Sequence, residues 1–147
     1  MLVTLDTTRA DHLSVYGYDK ITSPALDRIA AEGVRAAHAI SPMPTTDPAH
    51  LSILTGQFPR SHGVIKNGIE LKDGTPSLAA WAKSRGYRTA AFVSRAHTNP
   101  KALNLAGFDD ESGPSGDEKA RDGRLTLEDA LDWLDDHGNE PFFLWVH

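Results

Sequence analysis

Two side chains in this sequence have the type and setting for ester chemistry. Thr46 stands in Thr45-Thr46-Asp47-Pro48-Ala49-His50, which runs straight into Leu51-Ser52-Ile53-Leu54-Thr55-Gly56. Forty positions earlier, Asp6 closes the short apolar run Leu2-Val3-Thr4-Leu5. A carboxylate at a strand end is a hard ligand for a cation, and a hydroxyl at a helix start is an alcohol that can be ionised and used as a nucleophile. Together they are what a metal-assisted ester hydrolase needs. His50 follows Thr46 by one helical turn and can share its face, and the first amides of a helix gather an anion. Spacing alone leaves each residue open. Asp6 could equally be a helix N-cap or the partner of Arg9, Thr46 a plain N-cap, and His50 a surface histidine.

These residues need elements to hold them, and the punctuation supplies candidates. Leu2–Leu5 reads as a buried strand. Ser23-Pro24 offers a cap with proline at the first helical position, Leu26, Ile29 and Ala30 share a face, and Gly33 is a stop, so the pattern predicts a helix over 24–32. Val34–Ile40 reads as a strand. Prolines 42, 44 and 48 keep the chain out of helix until Pro48, and Pro48–Thr55 reads as a helix ended by Gly56. Thr75-Pro76 starts a helix carrying Leu78, Ala79, Trp81 and Ala82 that ends at Gly86, followed by a strand over Arg88–Ser94. Residues 107–124, rich in Gly, Asp, Ser and Lys, read as an exposed loop. Thr126 caps a helix with Leu127, Ala130, Leu131 and Leu134 inward and Gly138 as its stop. Phe142–Val146 is a continuous apolar run, as expected of a parallel strand covered on both faces. Strands alternating with capped helices predict an α/β fold, a mostly parallel sheet flanked by helices.

Composition narrows the function. With 147 residues, 39% hydrophobic and 24% charged, the chain suits one soluble core. No apolar run approaches the roughly 18 residues of a membrane span. Met1–Asp6 reads as a strand rather than a signal peptide, which points to the cytoplasm if Met1 is the true start. The absence of cysteine removes disulfides, zinc–thiolate sites and thiol nucleophiles. Residues 107–140 hold 12 acids against 3 Lys or Arg, while the remainder holds 8 acids and 12 bases. The candidate site lies in the positive part, which suits a small anionic ester as substrate. A pI near 5.7 without a basic-aromatic stripe argues against nucleic acid, and no Gly-rich loop follows Leu2–Leu5 to bind a nucleotide. The chain stops at His147, directly after a central-looking strand, where ligands of an open parallel sheet gather. The expectation is an incomplete domain, with the missing C-terminal part completing the site.

Taken together, these segments resemble the sulfatase family of the alkaline-phosphatase superfamily. Leu5-Asp6-Thr7-Thr8-Arg9 with Tyr16-Gly17-Tyr18 is similar to the family's opening strand and loop, and Ser23–Val34 to its first helix. Thr46-Asp47-Pro48-Ala49-His50, ending in Leu54-Thr55-Gly56, resembles the nucleophile signature of Cys or Ser, any residue, Pro, a small residue, then Arg. His62-Gly63-Val64 with Asn67, Gly86–Ala91 and Pro141–His147 also fit. The resemblance implies an alkaline-phosphatase-like fold over residues 1–147, the N-terminal portion of a sulfatase-like hydrolase domain. It also implies a divalent cation (Ca, Mg, Mn or Zn) held by Asp6 and Thr46, catalysis by Thr46 and His50, and substrate contacts by Asn67 and His97. His147 matches the first histidine of the family's strand-end pair.

Three departures bear on the chemistry. The family's nucleophile is a Cys or Ser oxidised to formylglycine; threonine would give a ketone, so Thr46 suits direct attack and phosphorus chemistry. His50 replaces the signature's arginine and is not permanently charged. Thr7 stands where many members carry a second metal-binding aspartate. The readings are therefore a sulfate- or phosphate-ester hydrolase, a phospho-headgroup transferase, or a non-catalytic or truncated relative that kept the fold.

Overall fold

The computed structural model describes residues 1–147. The chain falls into two compact units, one formed by residues 1–4 and 42–147, the other by 5–41. No helix is long and apolar enough to cross a membrane.

The larger unit is built on a four-stranded parallel sheet of β1 (Leu2–Val3), β2 (Arg88–Phe92), β3 (Asp110–Ser112) and β4 (Phe142–Val146), ordered β1-β4-β2-β3. In register, Leu2 faces Trp145, Ala91 faces both Trp145 and Glu111, and Phe92 faces Val146 and Ser112. Alternation along the strands divides the core into two layers. Ala91, Val93 and Trp145 point to one side and pack with Leu51, Leu54, Val64, Leu71, Leu103 and Leu105. Ala90, Phe92, Leu144 and Val146 point to the other and meet Ala130 and Trp133. Full burial of a Leu or Val contributes about 1.5–3 kcal/mol each, so both faces of β4 hold the sheet. This is the α/β architecture expected, with β4 central.

Helices cover both faces: α2 (Thr46–Thr55), the short α3 (Pro59–His62), α4 (Leu78–Ser84) and α5 (Gly123–His137). Leu51 and Leu54 place α2 on the first core layer, and Ala130 and Trp133 place α5 on the second. Gly56 ends α2 in the left-handed conformation, at φ 68°.

Several expectations are corrected here. β1 is two residues long and pairs only with β4, which leaves Val3 exposed rather than buried. α2 begins at Thr46, two residues before the expected start, because a proline in the first helical turn costs no hydrogen bond. α4 is capped by Ser77, whose hydroxyl accepts from Ala80 N at 3.0 Å, and not by Thr75. The 107–124 stretch contains β3, a polar strand supported by backbone pairing with β2. α5 begins at Gly123 with Asp122 as its cap (2.8 Å to Arg124 N). Thr126 is instead a buried hydroxyl bonded to Ser94 and Arg121. The inward face is therefore Thr126, Ala130 and Trp133, and Leu127 and Leu131 face outward.

The 5–41 unit holds two single-turn 3-10 helices (Ala10–His12 and Ser14–Tyr16) and α1 (Pro24–Glu32), whose bounds match the expected helix. The Ser23 side chain makes no cap bond to α1. Its hydroxyl meets the Ser14 hydroxyl at 3.0 Å and donates to the Asp27 carboxylate, which also accepts from Ser14 at 2.7 Å. The apolar face expected of α1 is not buried, and Ile29 is exposed. Val34–Ile40 is not a strand: no neighbour pairs with it, and Val34 and Ile40 are 99% and 94% exposed.

Candidate active site

In the larger unit the site is built where α2 begins and where β2 and β4 end. Thr46 is the first residue of α2, with Thr45 as the extended residue before it. His50, one turn later, is buried rather than on the surface, and its Nδ1 donates to the Thr46 carbonyl at 2.8 Å. That bond commits one ring nitrogen to the helix and leaves Nε2 for other chemistry. The His50 ring meets His147 edge-on, with centroids 4.4 Å apart, which brings the first turn of α2 to the carboxyl end of β4. His147 is itself fixed. Its amide donates to Phe92 O at 2.9 Å and its Nδ1 bonds the Thr4 hydroxyl at 2.8 Å, which also accepts from Trp145 Nε1.

Asp47 ties the remaining pieces together. It is fully buried, and its backbone N–H donates to Asn67 Oδ1 at 2.9 Å. Its Oδ2 accepts from Gly68 N at 2.8 Å, and its Oδ1 accepts from His97 Nδ1 at 2.6 Å. Asn67 and His97 are thereby both held against the residue next to Thr46. The 3-10 turn Ala96–Thr98 that carries His97 follows β2 and is steadied by a neighbouring loop. Ala96 N donates to Lys119 O, Arg121 N donates to Ser94 O, and the Arg121 guanidinium bonds Val93 O, Thr126, Ser112 and Asp129. The Ser112 hydroxyl and the Arg121 cation hold the Asp129 carboxyl below its ordinary range. His97, Arg95, Ala96 and Lys119 line a cavity of about 330 Å³.

The helix amides do less than the spacing suggested. Asp47 N–H is taken by Asn67, Pro48 has none, and Ala49 N–H bonds Thr45 O. The first turn therefore offers no amide from 47 to 49 to a ligand. Asn67, expected only as a substrate contact, spends its carbonyl on α2 and keeps its NH₂ donors. Sequence reasoning gave Asp47 no role; the one available signal was an acid in the first turn of a helix beside the nucleophile candidate.

Asp6 lies in the 5–41 unit. Arg9, its alternative partner, pairs with Asp11 instead, at 2.6 Å. Thr7 follows with a left-handed backbone, φ 51°, uncommon for a β-branched residue and easier for an aspartate. No group of three or more His, Asp or Glu side chains converges into a metal site. A hard cation wants about six oxygens, so Asp6 and Thr46 alone do not make a fitting cage.

The sulfatase family model matches residues 1–147. The chain belongs to the sulfatase family. It is 32% identical over 110 residues to an arylsulfatase of Clostridium perfringens, an alignment covering 74% of this chain and 22% of that protein. The chain thus spans under a quarter of that relative's length. Among solved structures, it is similar to a protein in complex with its substrate D-glucosamine-2-N,6-O-disulfate (TM-score 0.84, 23% identity, covering 99% of this chain and 32% of the other). It is also similar to a phosphonate monoester hydrolase of Agrobacterium radiobacter (TM-score 0.82, 21% identity, 99% and 39% covered). At these identities the two structures establish the alkaline-phosphatase-like fold of this sulfatase-family chain.

Proposed function

We propose that this chain supplies the nucleophile side of a sulfatase-family hydrolase that cleaves small anionic sulfate or phosphate esters, with Thr46 attacking directly. The observation that carries the reading is the gathering of His50, His147, Asn67 and His97 around the single turn that Thr46 opens. In this scheme the Thr46 hydroxyl gives its proton to a neighbouring imidazole nitrogen, and its oxygen attacks phosphorus or sulfur in line. The ester oxygen departs with that proton as an alcohol, and water later cleaves the threonyl ester, releasing the oxyanion and restoring threonine. Because the nearby amides are engaged, the Asn67 NH₂ group takes the oxyanion role, and His50 Nε2 and His97 Nε2, each left with a lone pair by the proton on Nδ1, are the groups that accept protons. Arg95 and Lys119, beside His97, add the positive charge an anionic ester needs.

The divalent cation expected of the family would lower the pKa of a coordinated oxygen, but Asp6 and Thr46 are too few donors to hold it, so the steps above do not run through it. Thr46 favours phosphate over sulfate, since a threonine cannot yield the aldehyde from which formylglycine chemistry starts. Paired aryl phosphate and aryl sulfate esters, assayed with the whole protein and with Thr46→Ala, test the reading. Turnover lost in the variant supports it, and retained turnover removes Thr46 from the mechanism.

A further inference from the structure

We infer that Asp47 is a positioning residue that fixes the tautomer and orientation of His97, placing the proton on Nδ1 and presenting Nε2 outward; its value to turnover rests on the preceding reading that His97 meets the ester. The geometry is specific. Asp47 is 0% exposed, and a buried carboxylate must be matched by donors. It has two, one on each oxygen: His97 Nδ1–H at 2.6 Å and Gly68 N–H at 2.8 Å. A carboxylate only accepts, so the nitrogen facing it carries a proton, and in the neutral ring the other nitrogen keeps its lone pair. His97, half-exposed and lining the cavity with Arg95 and Lys119, turns its ring to Asp47 on one side and to that space on the other.

The same count shows why an amide cannot replace this carboxylate. Asparagine has one acceptor oxygen, but two donors face position 47. In Asp47→Asn either Gly68 N–H loses its acceptor, or the new NH₂ group faces His97 and drives the ring proton to Nε2. In the second case the nitrogen presented outward changes from acceptor to donor. A merely structural Asp47 would also lose stability on substitution, but it would not move that proton.

The test uses the whole protein with ¹⁵N-labelled histidine. The expected result is an Nδ1–H tautomer for His97 in the unaltered protein and an Nε2–H population in Asp47→Asn. An Nε2–H tautomer in the unaltered protein overturns the inference without any variant having to fold. Activity then separates the two readings in a cycle with His97→Ala. Asp47→Asn should lower kcat by up to about 10⁴-fold, the loss known for a catalytic imidazole held in the wrong tautomer, and change little further when His97 is already alanine. An equal loss in both backgrounds overturns a role through His97. If the tautomer follows Asp47 but His97→Ala turns over normally, Asp47 keeps its assignment and His97 loses its place at the substrate.

Discussion

The His50 and His147 rings pack edge to face, 4.4 Å between centroids, so the turn after Thr46 is registered directly against the end of the central strand. His50 holds its own helix by one nitrogen and leans on β4 through its ring, which makes its placement a property of two elements at once. His50→Ala is expected to lower kcat/KM by about 10²-fold, the lower end for removing a group that moves a proton in the transition state. Thermal unfolding of the variant should shift only modestly. A variant with full activity would assign the ring to packing alone.

His62 gives a pH dependence of stability. It is buried, its Nδ1 accepts from Val64 N at 3.2 Å, and its Nε2–H donates to Ser52 Oγ at 3.1 Å. Both nitrogens are satisfied in the neutral ring, and burial holds its pKa below the ordinary value of 6.5. The unfolded chain therefore takes a proton near pH 6.5 that the folded chain refuses until lower pH. Stability is full above that value, falls as pH drops through it, and levels off below the folded pKa. Urea midpoints measured from pH 7.5 to 5 should decline, and His62→Gln should flatten part of that decline. Parallel curves for the two proteins would count against the assignment.

Gly107 marks a backbone contact that tolerates no side chain. Its φ is 112°, and a Cβ there would lie 2.2 Å from Ala80 N and 2.5 Å from Ala80 Cα in α4. Its carbonyl also accepts from Thr89 Oγ1 at 2.7 Å, so the segment cannot simply back away. Gly107→Ala should cost about 3 kcal/mol, at the upper end for overpacking, read as a lower urea midpoint. An unchanged midpoint would mean that α4 can move off the sheet at little cost.

Much of the fold was legible because its signals were local. α1, the end of α2, β2 and β4 are bounded by glycine and proline or are continuous apolar runs, and their spans came out close to expectation. β3 was not legible, since Asp110-Glu111-Ser112 has no strand character and is extended only because β2 pairs with it. Val34–Ile40 failed in the opposite sense: strand-like composition found no partner. The inward face of α5 was read in part: Ala130 and Leu134 do pack inward, but Leu127 and Leu131 outweighed Thr126 and Trp133 in hydropathy and not in position. Thr46, His50 and His147 could be picked from their motifs. Asp47 could not, because its defining partner lies 50 residues away, beyond any local pattern.

The neighbour of β4 on one side is β1, and on the other is β2. During synthesis β1 must wait, unpaired, until some 140 later residues have left the ribosome, because Leu2 and Val3 dock on Trp145 and Val146. Closing so long a loop is slow. The Thr4 clasp on His147 can thus form only late, and a nascent chain halted before residue 142 would hold α2 on its first core layer without the β4 end that meets His50.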